Sequence, residues 1–136
     1  MGYWLFKSDP ETYGFQDLER DKETVWDGVT NPVALKNLRS CRKGDQVIIY
    51  HTGEEKALIG LAEIIREAYP DPKKKDPKLA VVDIKVLKKL PKQVTLAEVK
   101  ARKEFADFAL VRLPRLSVMP VSDMQWKSLM KMAGTS

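Results

Sequence analysis

Several residue types and patterns are scarce in this chain, and each scarcity excludes a class of protein. The sequence has one cysteine, Cys41, and one histidine, His51, so neither an intrachain disulfide nor a zinc site of cysteines and histidines is expected. No apolar run approaches the roughly 20 residues that cross a bilayer. No basic segment followed by an apolar one opens the chain, as a secretory signal would. We therefore expect no membrane partner and a cytoplasmic location, associated with the nucleoid or, in a eukaryote, the nucleus.

The usual motifs of nucleophilic and phosphate chemistry are also missing. The sequence contains neither Gly-x-Ser-x-Gly nor Gly-x-x-x-x-Gly-Lys, and its carboxylates show no metal-ligand spacing. Binding without chemistry is therefore the better-supported class, with no cofactor and no metal. The alternative is an enzyme or small-molecule binder in which His51 and Asp27 act on a nucleotide-like metabolite.

Length and charge describe a small basic domain. At 136 residues the chain fits one domain, spanning 1–136, with enough length to bury a core without disulfides. Its hydrophobic share of 43% and charged share of 32% are those of an ordinary folded protein. The net charge of +5 favours an anionic partner such as nucleic acid. A solvated basic surface without such a partner is the plainer explanation of the same charge.

Short apolar runs and capping residues predict an α+β fold. Strands are predicted at 3–7, 47–50, 57–68, 82–86 and 108–113, and the second and third form a hairpin. A short helix is predicted at 15–20, and others begin after the capping residues Asn31, Thr95 and Ser122. The helix that begins after Asn31 is predicted to end at Gly44. Gly60 predicts a bulge, and the proline- and lysine-rich stretch 70–77 an exposed loop. This order of elements predicts a small, bent, mostly antiparallel barrel with short helices around it.

Large rings and hydrogen-bonding side chains occur together where strands and turns are predicted to end. They fall in the stretches 3–10, 26–32 and 50–53. A core has no use for polar groups there, because a buried polar group costs free energy unless it is paired. A pocket that stacks a flat polar ligand and reads its edge needs both kinds of residue.

Each of these residues also has a purely structural explanation. Trp4 alternates with Phe6, and a place in the core explains it as well as a place in a pocket. Trp26 precedes Asp27-Gly28, which slightly favours a place in a pocket. Asn31 is a good helix cap, and an isolated histidine is more often structural than functional. Lys7 can be an ordinary surface lysine, and Ser8 can begin a turn. Trp126 lies on the apolar face of a predicted helix, where core packing explains it.

The chain resembles the EVE-domain family of the PUA-like superfamily over nearly its whole length. The resemblance rests on the motifs at 3–10, 26–29, 37–39, 44–45, 50–52, 60–63, 68–71 and 115–121. It implies a PUA-like pseudo-β-barrel that recognises a modified base in DNA or RNA, with modified cytosine the expected ligand. We expect the protein to be a monomer. The base would be flipped out of its stack into an aromatic and polar pocket. A structural module that binds RNA through its basic surface alone remains a further alternative.

The resemblance also assigns roles to residues. Trp4 and Trp26 would form aromatic walls, and Gly28 and Val29 would bring the backbone close to the base. Leu116 and Ser117 would complete the far wall. Contacts to the base edge would come from Lys7, Ser8, Asn31, His51 and Thr52, and contacts to phosphate from Arg39, Arg112 and Arg115. The stretch 30–36 departs from the family pattern, since it lacks two arginines and a tyrosine that are common there.

Overall fold

Six strands within residues 2–135, the part of the chain that the computed structural model describes, form one mixed sheet. The strands are β1 (Tyr3–Ser8), β2 (Glu23–Trp26), β3 (Gln46–His51), β4 (Ala57–Pro70), β5 (Ala80–Thr95) and β6 (Val118–Val121). The helices are α1 (Pro10–Tyr13), α2 (Phe15–Asp21), α3 (Pro32–Ser40), α4 (Leu96–Lys100), α5 (Ala109–Arg112) and α6 (Asp123–Met132), with one 3-10 turn at Lys103–Phe105. Both end residues of the predicted domain 1–136 lie outside the described residues.

The sheet has the order β2-β5-β4-β3-β1-β6. Every neighbouring pair is antiparallel except β1 and β3, which run parallel from Tyr3 opposite Gln46 to Ser8 opposite His51. A parallel pair requires a crossover, and the segment 9–45 supplies it with α1, α2, β2 and α3. The predicted α+β, mostly antiparallel fold is confirmed. The sheet is not closed, because within the described residues its end strands β2 and β6 do not pair with each other.

Bulges bend the long strands β4 and β5. Their pairing shifts register at four places, one of them between Leu58 and Gly60, which confirms the bulge predicted at Gly60. The ring of Phe15, the first residue of α2, lies against Gly60, and a β-carbon at that position would overlap it. Gly60 therefore lets α2 pack directly on the curved sheet.

The helix starts were predicted better than the helix ends. Both capping boxes are confirmed: the hydroxyl of Thr95 accepts from the N–H of Glu98 at 3.1 Å, and Ser122 does the same for Gln125. The predicted end of the third helix at Gly44 is wrong, because α3 ends at Ser40 and Gly44 lies in a turn with φ of 94°. No helix in the described part of the chain is long and apolar enough to span a membrane.

The predicted strand at 108–113 is wrong, since α5 occupies Ala109–Arg112. Phe105 and Phe108 lie three residues apart on consecutive turns, with their ring centroids 5.8 Å apart in the core. A short apolar run cannot be told from a buried helical turn by its pattern alone. For a similar reason the four-residue strand β2 was not predicted.

Asp45 joins the start of β1 to the turn before β3. This buried carboxylate accepts hydrogen bonds from the N–H of Gly2 at 2.9 Å, the indole N–H of Trp4 at 2.9 Å and the N–H of Arg42 at 2.8 Å. Burial by itself raises the pKa of Asp45, but these hydrogen bonds, with that of Trp4 foremost, outweigh burial and lower it. The ionised carboxylate is therefore part of the fold.

Replacing Asp45 with Asn should destabilise the protein by about 1–3 kcal/mol at neutral pH, because one amide oxygen cannot satisfy three buried N–H groups. Since the pKa of Asp45 is lowered on folding, its contribution is present above the ordinary aspartate pKa. It is lost as the pH falls through the lowered value. Urea unfolding at acidic and neutral pH measures the effect. The difference in free energy of unfolding between wild type and variant should become smaller as the pH falls.

The matched control for this experiment is Asp107→Asn, whose side chain is 93% exposed and should leave stability unchanged. A gap between wild type and Asp45→Asn that stayed constant at all pH values would contradict the role of the ionised carboxylate.

Candidate functional site

A cavity of about 660 Å³ lies where β1 and β2 end. We call it the Lys7–Trp26 cavity. Its apolar and aromatic lining is Tyr13, Val25, Trp26, Gly28 and Val29. Its polar and charged lining is Lys7, Ser8, Asp9, Thr12, Thr24, Asp27, Lys73 and Ser117. The structure therefore brings together seven of the predicted ligand-binding residues: Lys7, Ser8, Trp26, Gly28, Val29 and Ser117 at the cavity, with Thr52 bonded directly behind Ser8.

Trp26 and Gly28 form the wall at the end of β2. The indole of Trp26 is 8% exposed and packs against Phe6 with ring centroids 5.4 Å apart, which fixes its orientation. Gly28 has φ of 78°, the left-handed region that favours glycine, and no atom lies within 4 Å of the place a β-carbon would take. The turn after Trp26 thus leaves open space beside the backbone.

Lys7 is a half-buried cation at the cavity. Its ammonium group donates to the carbonyl of Pro114 at 2.8 Å and lies 5.7 Å from the ring centre of Tyr50. Burial lowers the pKa of Lys7. An ammonium has three N–H groups, and the structure records an acceptor for one of them within residues 2–135. Lys7 can therefore donate to a ligand in the cavity.

Backbone contacts hold the polar side of the cavity in place. The N–H of Lys7 donates to the carbonyl of Ser117 at 2.9 Å, and the N–H of Thr52 donates to the carbonyl of Ser8 at 2.9 Å. The hydroxyl of Ser8 donates to the carbonyl of Tyr13. Because that hydroxyl has used its hydrogen, it faces a ligand as an acceptor. The end of β1 therefore presents a donor, Lys7, beside an acceptor, Ser8.

Two basic segments border the cavity. Lys73 lines it and belongs to the exposed segment 72–78, which also carries Lys74, Lys75 and Lys78. Arg39 on α3 donates to the carbonyl of Lys78, so its guanidinium lies against this segment. The other segment, 112–117, ends at Ser117 and exposes Arg112 and Arg115. The predicted phosphate-contacting residues thus fall on or beside these two segments.

Trp4 does not line the Lys7–Trp26 cavity. It is a core residue with 8% of its surface exposed, and its indole N–H is bound to Asp45, at the opposite end of β1 from Ser8. The expectation that two indoles enclose one cavity is therefore not met by this structure. Trp26 is the indole at the cavity, and Trp4 supports β1 from the other end.

His51 lines a second cavity, of about 350 Å³, which we call the His51 cavity. Its Nε2 accepts from the N–H of Phe15 at 2.9 Å, so the ring hydrogen is on Nδ1, which lies 3.0 Å from a carboxylate oxygen of Glu55. Nε2 thus holds the start of α2 to the sheet, and Nδ1 is engaged with Glu55 in the turn after β3. Asp27 lines the other cavity, so the structure does not bring together His51 and Asp27, the pair on which the enzyme alternative rests.

Two other predicted contact residues have structural roles. The side chain of Asn31 caps α3, accepting from the N–H groups of Val33 at 2.9 Å and Ala34 at 3.1 Å. Leu116 is a buried residue of the segment 112–117 and does not line the cavity. Leu116 is next to the cavity residue Ser117 in sequence and Asn31 is two residues from Val29, but neither lines the cavity.

Tyr13, Thr24 and Lys73 line the cavity but were not predicted. Thr24 and Trp26 alternate along β2, so the pattern of that strand places them on one face. Tyr13 ends the one-turn helix α1, where its hydroxyl donates to Asp21 at 2.8 Å. Lys73 is far away in sequence, and no local pattern indicates that its loop returns to the end of β1.

Comparisons with known proteins agree with this architecture. The EVE domain family profile matches residues 2–132. Thymocyte nuclear protein 1 of Mus musculus is 28% identical over 167 residues, covering 98% of this chain and 74% of the relative.

Two solved structures extend the comparison. Rpa0253 of Rhodopseudomonas palustris is 43% identical with a TM-score of 0.93, covering 98% of this chain and 94% of that one. Human THYN1 protein, in a crystal structure in complex with 5-methylcytosine containing DNA, is 26% identical with a TM-score of 0.90, covering 100% of this chain and 99% of that one. With a family match that spans almost every residue and a shared fold, the chain belongs to the EVE-domain family.

Proposed function

We propose that this protein binds nucleic acid carrying a modified base, and that the Lys7–Trp26 cavity holds the base after it flips out of its stack. One observation supports this most strongly. The cavity combines a fixed indole in its lining with a donor and an acceptor at the end of β1, between two basic segments. A flat heterocycle attached to a phosphate backbone matches that combination of groups.

The energies of such a complex favour recognition by the pocket. Extruding a base costs a few kcal/mol, and stacking on an aromatic ring returns about 1–3 kcal/mol. A polar group left unpaired in a desolvated pocket costs about 1–3 kcal/mol. Selectivity therefore depends on whether the edge of the base satisfies Lys7, Ser8 and Ser117.

Modified cytosine is the ligand that we propose. The similar human THYN1 protein has been crystallised with 5-methylcytosine containing DNA. In this chain Val25 and Val29 give the cavity an apolar surface that a methyl group would contact. The carboxylate of Asp27 and the ammonium of Lys7 offer an acceptor for the exocyclic amine of cytosine and a donor for its carbonyl. The proposal covers that base in DNA or RNA.

Phosphate contacts are proposed for the arginines on the two basic segments. Arg115 is exposed two residues before Ser117, and Arg112 has one recorded ion pair, to Asp107 at 3.6 Å. Arg39 would act from the side of Lys73, with its guanidinium against Lys78. Such contacts add affinity and orient the strand without reading its sequence.

We further propose that binding occurs without chemistry, by a monomer, wherever its nucleic acid is found: the cytoplasm or nucleoid of a bacterium, or the nucleus of a eukaryote. The only histidine is engaged at both nitrogens in the His51 cavity. The lining of the Lys7–Trp26 cavity thus holds no paired nucleophile and base among the described residues.

Replacing Trp26 with Ala should lower affinity for a short oligonucleotide with one 5-methylcytosine by about tenfold or more, because stacking on the indole is lost. Fluorescence anisotropy with modified and unmodified oligonucleotides of one sequence measures the effect. Trp26→Phe, which keeps an aromatic face, should retain selectivity. Equal, weak binding of both oligonucleotides by the wild type at moderate salt would refute the proposal.

The same titration separates the alternatives. A free nucleoside that binds as tightly as the oligonucleotide would favour a small-molecule site. Affinity that falls steeply with salt and ignores the modification would favour binding through basic surface alone, for example at the cleft lined by Lys92, Arg102 and Lys131.

Replacing Lys7 with Gln should weaken binding about tenfold at neutral pH, because a charged hydrogen bond to the base is lost. Burial lowers the pKa of Lys7. The wild type should therefore lose affinity at a pH below the ordinary pKa of lysine, where the Lys7 ammonium loses its proton. Lys7→Gln should lack this step.

The control is Lys131→Gln, which makes the same charge change at the distant cleft. It should follow the wild-type pH profile and so account for titration of the bases themselves. An alkaline step of equal size in wild type and Lys7→Gln would show that Lys7 does not contact the base.

A further inference from the structure

Leu113 is an exposed leucine on a rigid turn. It exposes 51% of its surface, although Leu110 and Leu116 on either side of it are buried. Single exposed leucines are common on protein surfaces, so exposure alone indicates nothing. The way in which the turn is held sets Leu113 apart.

Two hydrogen bonds and a proline brace this turn. The N–H of Leu116 donates to the carbonyl of Leu113 at 3.0 Å, which closes residues 113–116 into a β-turn. Pro114 occupies the second position of the turn, where its ring fixes φ. The ammonium of Lys7 donates to the carbonyl of Pro114 at 2.8 Å, which ties the turn to the Lys7–Trp26 cavity.

Two cations accompany the turn at the edge of the cavity. Arg112 precedes Leu113 and Arg115 follows Pro114, and both arginines are exposed. Ser117, two residues further along, lines the cavity. An apolar side chain is thus presented beside the cavity, with a guanidinium on each side in sequence to contact phosphate.

We infer, on the basis of the proposed function, that Leu113 is a wedge that enters a duplex and fills the gap left by the flipped base. Proteins that kink or open duplexes insert apolar side chains, leucine and proline among them, between neighbouring base pairs. A rigid turn suits this role because little conformational entropy is lost on insertion. The ligand implied is a duplex, since a single strand has no closed stack to fill.

The test compares Leu113→Ser with Met124→Ser on two DNA ligands. One is a duplex with a single 5-methylcytosine next to a 2-aminopurine, whose fluorescence rises when its neighbour leaves the stack. The other is the same modified strand alone. Met124 is the control because it is 82% exposed and follows the end of β6 that pairs with Tyr3, at the far end of β1 from Lys7.

Leu113→Ser should bind the duplex about tenfold more weakly than the wild type, the scale of burying a leucine side chain. It should also reduce the 2-aminopurine signal at saturation. Its affinity for the single strand should be unchanged, which also shows that the variant is folded. Met124→Ser should match the wild type on both ligands.

The outcomes separate the wedge from the proposed function. If Leu113→Ser leaves duplex affinity unchanged, or lowers affinity for duplex and single strand equally, Leu113 is not a wedge. The proposed function would still stand if the protein selects the modified single strand. If the wild type does not distinguish modified from unmodified single strands, the proposed function fails and the wedge with it.

Discussion

The pairing of β1 along both of its edges is the constraint on which the remaining structure depends. β3 pairs with one edge in the parallel direction, and β6 pairs with the other in the antiparallel direction. As a result, the three consecutive residues Trp4, Leu5 and Phe6 are buried. At one end the carboxylate of Asp45 holds the strand by two hydrogen bonds, from the N–H of Gly2 and the indole N–H of Trp4. At the other end the backbone of Ser117 and Thr52 binds Lys7 and Ser8. Because both ends are fixed, the polar residues that follow the apolar run stand at the edge of the sheet in a defined orientation.

A half-buried cation and a fixed ring then give this edge its proposed role. Desolvation disfavours the charged form of Lys7, and a ligand acceptor would recover part of that free energy. Trp26 reaches the same cavity from β2, although β2 and β1 are separated by three strands in the sheet. The curvature produced by the bulges in β4 and β5 brings these distant strands to one cavity. The fold and the site are therefore linked through residues such as Gly60, which contact no ligand.

Local patterns predicted those parts of the fold that local interactions determine. The capping boxes at Thr95 and Ser122 need only a hydroxyl and a partner three residues later, and both formed. The site depends on longer distances. Trp4 and Trp26 have similar sequence surroundings, and what separates them is Asp45, 41 residues from Trp4. Equally, Lys73 reaches the cavity through the return of an irregular loop, and His51 is occupied by the backbone of Phe15. Neither arrangement leaves a trace in the neighbouring sequence.

A crystal structure of the protein bound to a short DNA duplex with one 5-methylcytosine tests the central claim most directly. The account predicts that the modified base lies outside the helix in the Lys7–Trp26 cavity, stacked on the indole of Trp26 and within hydrogen-bonding distance of the Lys7 ammonium. A modified base that stays stacked in the duplex, or one that occupies the His51 cavity, would contradict it.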